Sequence, residues 1–253
     1  MEAVTARMTT TAARLARLAR PRRPAGPPRP QPASQQPAPA PGTSPPARPP
    51  GPPARPAGPP ARLRSFDPGR LADLEYRAWT GYYLRDWPQV LAASAALIKM
   101  GPGMDWHRTL RSAWLALRAI QLWAPYPHND PDGAQACMRH FYALIRLSYG
   151  TPASPAEAAR LEVDWWRAHR QAQYATTPGH SSDELIESVT RLYSYLFSEP
   201  ETAVRPAAAH RAHAMTLSDQ WVREGRHPAS PLLPLIRAAL VRTYATLLAA
   251  VHH

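Results

Sequence analysis

The sequence predicts an all-α protein, a single bundle of seven to eight helices after a disordered N-terminal tail, and three observations lead there. Composition breaks near residue 65: all 21 aromatic residues lie beyond it, whereas the first 64 residues hold 18 of the 32 prolines. After the break, residues that start and stop helices recur at short intervals. No stretch shows the alternating Val, Ile and Thr pattern of a half-buried strand. The chain therefore divides into residues 1–64, an Arg/Pro-rich tail, and residues 65–253, an all-helical globular domain long enough for one core.

The tail carries 11 arginines against one acid, Glu2, and so holds +10 of the formal +12, leaving the helical part at +2. The high pI is thus a property of the tail and does not mark the domain as a nucleic-acid binder. Residues 1–20 are basic and rich in Thr and Ala, in the manner of a transit peptide or a surface-binding amphipathic helix, without the apolar run of a secretory signal. From Pro21 to Pro60 the composition favours polyproline II over a packed core. Such a segment serves as a solvated spacer, as a cationic arm that contacts acidic proteins or nucleic acid, or as a PxxP ligand for an SH3-like partner. Having no aromatic side chain, it has nothing on which to stack a base.

Cys137 is the sole cysteine, which excludes an internal disulfide and a CxxC site and fits a reducing, cytoplasmic setting. The apolar run "VLAASAALI" (90–98) is nine residues, and longer ones are interrupted by Arg, so no membrane span is expected. Arginine outnumbers lysine 29 to 1, the coding bias of a GC-rich genome.

Taken in order, the first helix runs from about Pro68 to Trp87, and Pro88 either kinks it or opens a second that ends near Met100 before "GPG". Asp105 caps a helix reaching Trp123. Asp130, with Pro131 at the first helical position, caps the next, which stops at Tyr149 before Gly150. Capping boxes "SPAE" (154–157) and "SSDE" (181–184) open two more. Pro206 opens a helix closed by Gly225, and Ser230 with Pro231 opens the last.

Paired DDxxD aspartates, a phosphate loop, HExxH and GxSxG are all missing, so no cofactor is implied by a motif. Information comes instead from charged groups inside apolar helical sectors. In the first helix Leu71, Leu74, Ala78, Trp79 and Tyr82 form a face that includes Glu75 and Arg85, both expected to be at least half buried. Tyr76, Tyr83 and Trp87 make a second apolar side, which calls for another helix of this chain or a partner subunit in a homodimer. In the third helix Trp106, Leu110, Ala113, Trp114, Leu117 and Ile120 define the face, edged by a basic row of His107, Arg111 and Arg118. On "LEVDWWRAHR" (161–170), Glu162, Trp166, His169 and Gln173 form a ridge beside Leu161, Trp165, Ala168 and Ala172. In the seventh helix His210 sits amid Ala207, Ala214, Leu217 and Trp221.

Burying such groups is costly unless they meet each other, a ligand or a metal. Two accounts stand open. They form register-fixing pairs, Glu75 or Glu162 with Arg85 or Arg118 and His210 with a backbone carbonyl. Alternatively they line a pocket where His107, Arg111 and Arg118 hold an anionic ligand against tryptophan walls.

Glu162 and His169 also match the Glu-x6-His spacing of di-iron oxidases with a haem-oxygenase-like helical fold, which this segment resembles. The resemblance implies a metal-dependent oxidase and covers two residues. Where those enzymes carry a later His, a carboxylate four residues on and a second His three beyond, this chain has His210, Ala214 and Leu217. Glu75, Glu162, His169 and His210 would supply nitrogen and oxygen donors for a site outside that family.

The sequence thus predicts a soluble bundle that binds a small ligand, with Glu162, His169 and His210 as catalytic candidates. His169 is expected to act as acid or base oriented by Glu162. Contacts to the ligand are expected from His107, Arg111, Arg118, Glu75, Arg85 and Trp166. The competing expectation is a non-enzymatic scaffold that displays the basic arm.

Overall fold

A computed structural model describes residues 64–100, 104–174 and 180–252. The expectations for the tail lie outside the described residues up to position 63. Among the described residues there are eight helices and no strand: α1 (Pro68–Leu84), α2 (Trp87–Met100), α3 (Trp106–Trp123), α4 (Pro131–Tyr149), α5 (Pro155–Tyr174), α6 (His180–Phe197), α7 (Glu201–Arg223) and α8 (Leu232–Val251).

Asp105, Asp130 and Ser154 cap helices where the sequence puts them, Asp67 adds a fourth cap, and α6 begins at His180, ahead of the box expected at 181–184. Backbone N–H groups donate to Asp67 (from Arg70, 2.9 Å), Asp105 (from Arg108, 3.0 Å), Asp130 (from Gly133, 2.8 Å) and Ser154 (from Glu157, 3.3 Å). Gly150 ends α4 with φ 73°, in the left-handed region that glycine adopts at little cost. Pro88 opens α2 and does not kink α1. Asp86, accepting from the Gln89 N–H, helps to start it. Pro206 lies inside α7, which begins five residues earlier at Glu201. Near the N-terminus of a helix a missing N–H removes few backbone bonds, so the proline is accommodated.

Each helix packs against its neighbours in sequence and α8 returns to α1, so the helices form a closed ring, with α5 and α7 also touching. Arg64 secures the ring at the chain's entry: its guanidinium donates to Glu199 (2.7 Å) and to the carbonyls of Phe197 (2.6 Å) and Val251 (3.2 Å). The fold therefore includes Arg64, one residue before the expected boundary. The second apolar side of α1 is covered within the chain, because Tyr76 and Tyr83 pack with Trp221 of α7 and with Leu232, Ile236 and Leu240 of α8.

Three expectations are corrected. Arg85 is exposed: it forms the left-handed C-cap of α1 (φ 60°), with its guanidinium over Tyr82 and Trp87. On α3 the inward residues are Thr109, Ser112, Ala113, Leu117, Ala119 and Trp123, while Trp106, Leu110 and Trp114 are 62%, 55% and 41% exposed. Small side chains make up most of the inward face of α3, beside Leu117 and Trp123, and the other bulky residues Trp106, Leu110 and Trp114 turn outward. His107 and Arg111 go with them to the surface. Finally, α8 is one apolar helix long enough to cross a bilayer by length and composition, despite Arg237 and Arg242. Its buried residues, Leu240, Thr243 and Val251 among them, face the bundle.

Candidate functional site

The ring surrounds a cavity of about 520 Å³ to which all eight helices contribute. Its wall is chiefly aromatic and aliphatic, with Trp79 and Tyr82 from α1, Trp123 from α3, Phe141 from α4, and Trp165 and Trp166 from α5. Three polar clusters interrupt it.

The first centres on Glu75, 5% exposed. Arg211 of α7 reaches across and grips it with both terminal nitrogens, one at 3.3 Å from Oε2 and the other in close contact with Oε1. Tyr244 of α8 donates to Oε2 at 2.5 Å, and the Arg211 guanidinium also donates to the Tyr193 hydroxyl of α6 at 3.1 Å. The guanidinium also lies over two indole rings, Trp79 at 5.7 Å and Trp165 at 5.3 Å. Burial opposes the charge of Arg211, yet Glu75 and the surrounding tyrosine oxygens hold it firmly protonated. The pair is bidentate and further hydrogen bonded, the geometry that a buried ion pair needs if it is to offset its desolvation.

The second cluster is Glu162, which accepts from Tyr142 of α4 at 2.7 Å. Burial raises its carboxyl above the usual carboxylate range. The Tyr142 hydrogen bond, the Arg211 charge and the Trp165 and Trp166 indoles pull the other way without prevailing.

The third is a carboxylate–imidazole pair. His169 Nε2 lies 3.1 Å from Oδ2 of Asp219, whose Oδ1 accepts from Gln173 (2.9 Å) and, more weakly, from Tyr83 (3.5 Å). Asp219 is buried and its two oxygens are engaged, so it fixes the ring orientation of His169, which borders the cavity. Asp219, and not Glu162, orients His169. A ring so held can exchange a proton with a bound molecule. At the rim Arg170 lies over Trp123 (5.3 Å) and Tyr126 (5.1 Å). Trp123 and Arg170 face both the cavity and a surface depression lined by Tyr126 and Tyr174, whose rings stack at 4.9 Å.

Glu75, Glu162, Trp166 and His169 thus share one cavity. Arg118 is half-buried and turned along its own helix to Gln121 (2.8 Å), so the basic row of His107, Arg111 and Arg118 forms no anion site on the cavity wall. His210 is half-buried outside the lining, and its neighbour Arg211 takes the interior position. Arg85, on the outside, is likewise no part of the wall. The residues that sequence reasoning missed are Arg211, Asp219, Tyr142, Tyr193, Tyr244 and Arg170. The stripe Val204, Ala208, Met215 and Asp219 at helical spacing carried a signal for Asp219, but two turns of alanine kept it weak.

Among the described residues no three His, Cys, Asp or Glu side chains stand close enough together to hold a metal ion. The Glu-x6-His pair separates, Glu162 to Tyr142 and His169 to Asp219. No protein-family model matches the chain, and no curated protein or solved structure matches it.

Proposed function

We propose that the protein takes a small, predominantly apolar molecule into the central cavity, with the polar end of the guest toward Glu162 and His169. The supporting observation is the cavity itself: about 520 Å³, walled chiefly by aromatic and aliphatic side chains and interrupted by a few convergent polar groups. That size and lining are those of small-molecule sites. An unfilled space would also deprive its wall of dispersion contacts. The ligand contacts expected from the α3 basic row have no part in this reading.

The test is calorimetric titration of the full chain with 2-(1-naphthyl)ethanol, a neutral probe of suitable size. One site per chain is expected, and Ala116→Phe, which grows a ring into the cavity from α3, should abolish binding while leaving the helical circular-dichroism signal in place. Equal binding by the two proteins, or none by either, would refute the reading.

A scaffold reading draws on one separate observation, the exposed stripe of Trp106, Leu110 and Trp114 on α3. It predicts a dimer in sedimentation that Trp114→Arg converts to a monomer; a monomeric wild-type protein would remove it.

A further inference from the structure

The charges on the cavity wall, Glu75 and Glu162 against Arg170 and Arg211, balance in number but not in pairing. Glu75 is matched by Arg211 in a bidentate pair, and that guanidinium also lies over two indoles, Trp79 and Trp165. Arg170 stands at the rim, engaged with Trp123 and Tyr126 and donating to the Trp123 carbonyl at 3.4 Å. Glu162 is different. It belongs to no ion pair among the described residues, and its donors are all neutral: the Tyr142 hydroxyl at 2.7 Å and the Trp165 and Trp166 indoles. The aromatic walls around it, Trp165 and Trp166 on its own helix and Trp123 facing Trp166 at 5.7 Å, present ring surfaces that attract cations.

We infer that the guest is an organic amine, whose protonated nitrogen pairs with the Glu162 carboxylate while its apolar body lies against the tryptophan and tyrosine rings. This rests on the reading of the cavity as a ligand site. A neutral guest would leave the carboxylate without a cation, and an anionic one placed beside Glu162 would meet its negative charge, with Arg211 already bound to Glu75 and Arg170 held at the rim. The groups facing Glu162 from the packed helices are Tyr142 of α4, Tyr193 of α6 and Arg211 of α7, with His169 further along α5. Since burial favours the protonated carboxyl, an ammonium ion entering the site promotes loss of that proton to solvent, and a carboxylate–ammonium pair remains.

The experiment compares 2-(1-naphthyl)ethylamine with 2-(1-naphthyl)ethanol by calorimetry on the full chain, in wild type and in Glu162→Gln. At pH 7.5 the amine should bind wild type at least about tenfold more tightly than the alcohol, the range of a charge-assisted hydrogen bond. Glu162→Gln keeps an acceptor for Tyr142; it should bind the alcohol as before and lose the preference. In wild type the preference should shrink as pH falls toward 5, because Glu162 gains its proton while the aliphatic amine, with a pKa of about 10, stays charged. Alcohol binding without an amine preference, or a preference retained by Glu162→Gln, would overturn the inference and leave the cavity reading intact. Failure of both probes would overturn both. If Glu162→Gln does not fold, the wild-type pH series decides alone: a preference that does not change with pH overturns the inference.

Discussion

Glu75 and Glu162 stand on the wall of one cavity, in helices that each bring tryptophans beside them, yet their surroundings differ in kind. Glu75 has a guanidinium and a tyrosine hydroxyl directed at it, and the guanidinium in turn has Tyr193 and two indoles. Glu162 has Tyr142 and a carboxyl that burial lifts toward its neutral form. The contrast teaches that burial alone does not separate a structural acid from a site acid: the charge of the partners does. A carboxylate with its own guanidinium fixes register between α1, α7 and α8. One held by neutral donors alone is left for something else.

The largest effect should come from breaking the partnered side. Arg211→Ala leaves Glu75 buried without its cation and should cost about 3–5 kcal/mol in chemical denaturation, if the variant folds at all. Tyr244→Phe removes a hydroxyl donating to a charged group and should cost about 1.5–3 kcal/mol.

On the other side the expected effects are smaller and depend on pH. Because the folded carboxyl of Glu162 lies above its ordinary value of 4.5, its contribution to stability is complete below that value and is lost as pH rises through the folded one. Glu162→Gln cannot ionise. Its stability relative to wild type should therefore rise as pH climbs above the ordinary carboxyl value of 4.5, as followed by urea unfolding at several pH values. A relative stability that falls over this range would place Glu162 with Glu75. Smallest of all, Trp114→Gln on the exposed side of α3 should change stability by no more than about 0.5 kcal/mol. A loss of several kcal/mol there would restore the inward face that the sequence implied for α3.

The helices were legible because caps and breakers act locally: Asp105, Asp130 and Gly150 do their work within one turn of chain. Glu75 was legible as an interior group because it interrupts an apolar sector, and Glu162 and His169 because they run along the margin of one. Their partners were not. Arg211 and Asp219 lie on a stripe of α7 built from alanine and methionine, and alanine contributes little to an apolar face, so the wheel centred on His210 instead. On α3 the same weighting worked in reverse: tryptophan and leucine dominated the reading, while the inward face is mostly Thr109, Ser112, Ala113 and Ala119. Pairing across the ring, such as Glu75 with Arg211 or His169 with Asp219, depends on helix rotations that no single helix encodes.

The central claim is that these two buried carboxyls play opposite roles, and unfolding Glu75→Gln and Glu162→Gln side by side at pH 7 tests it most directly. The account predicts a loss of about 3–5 kcal/mol for Glu75→Gln, which strands Arg211, and no loss or a gain for Glu162→Gln. Comparable losses in the two variants would contradict it.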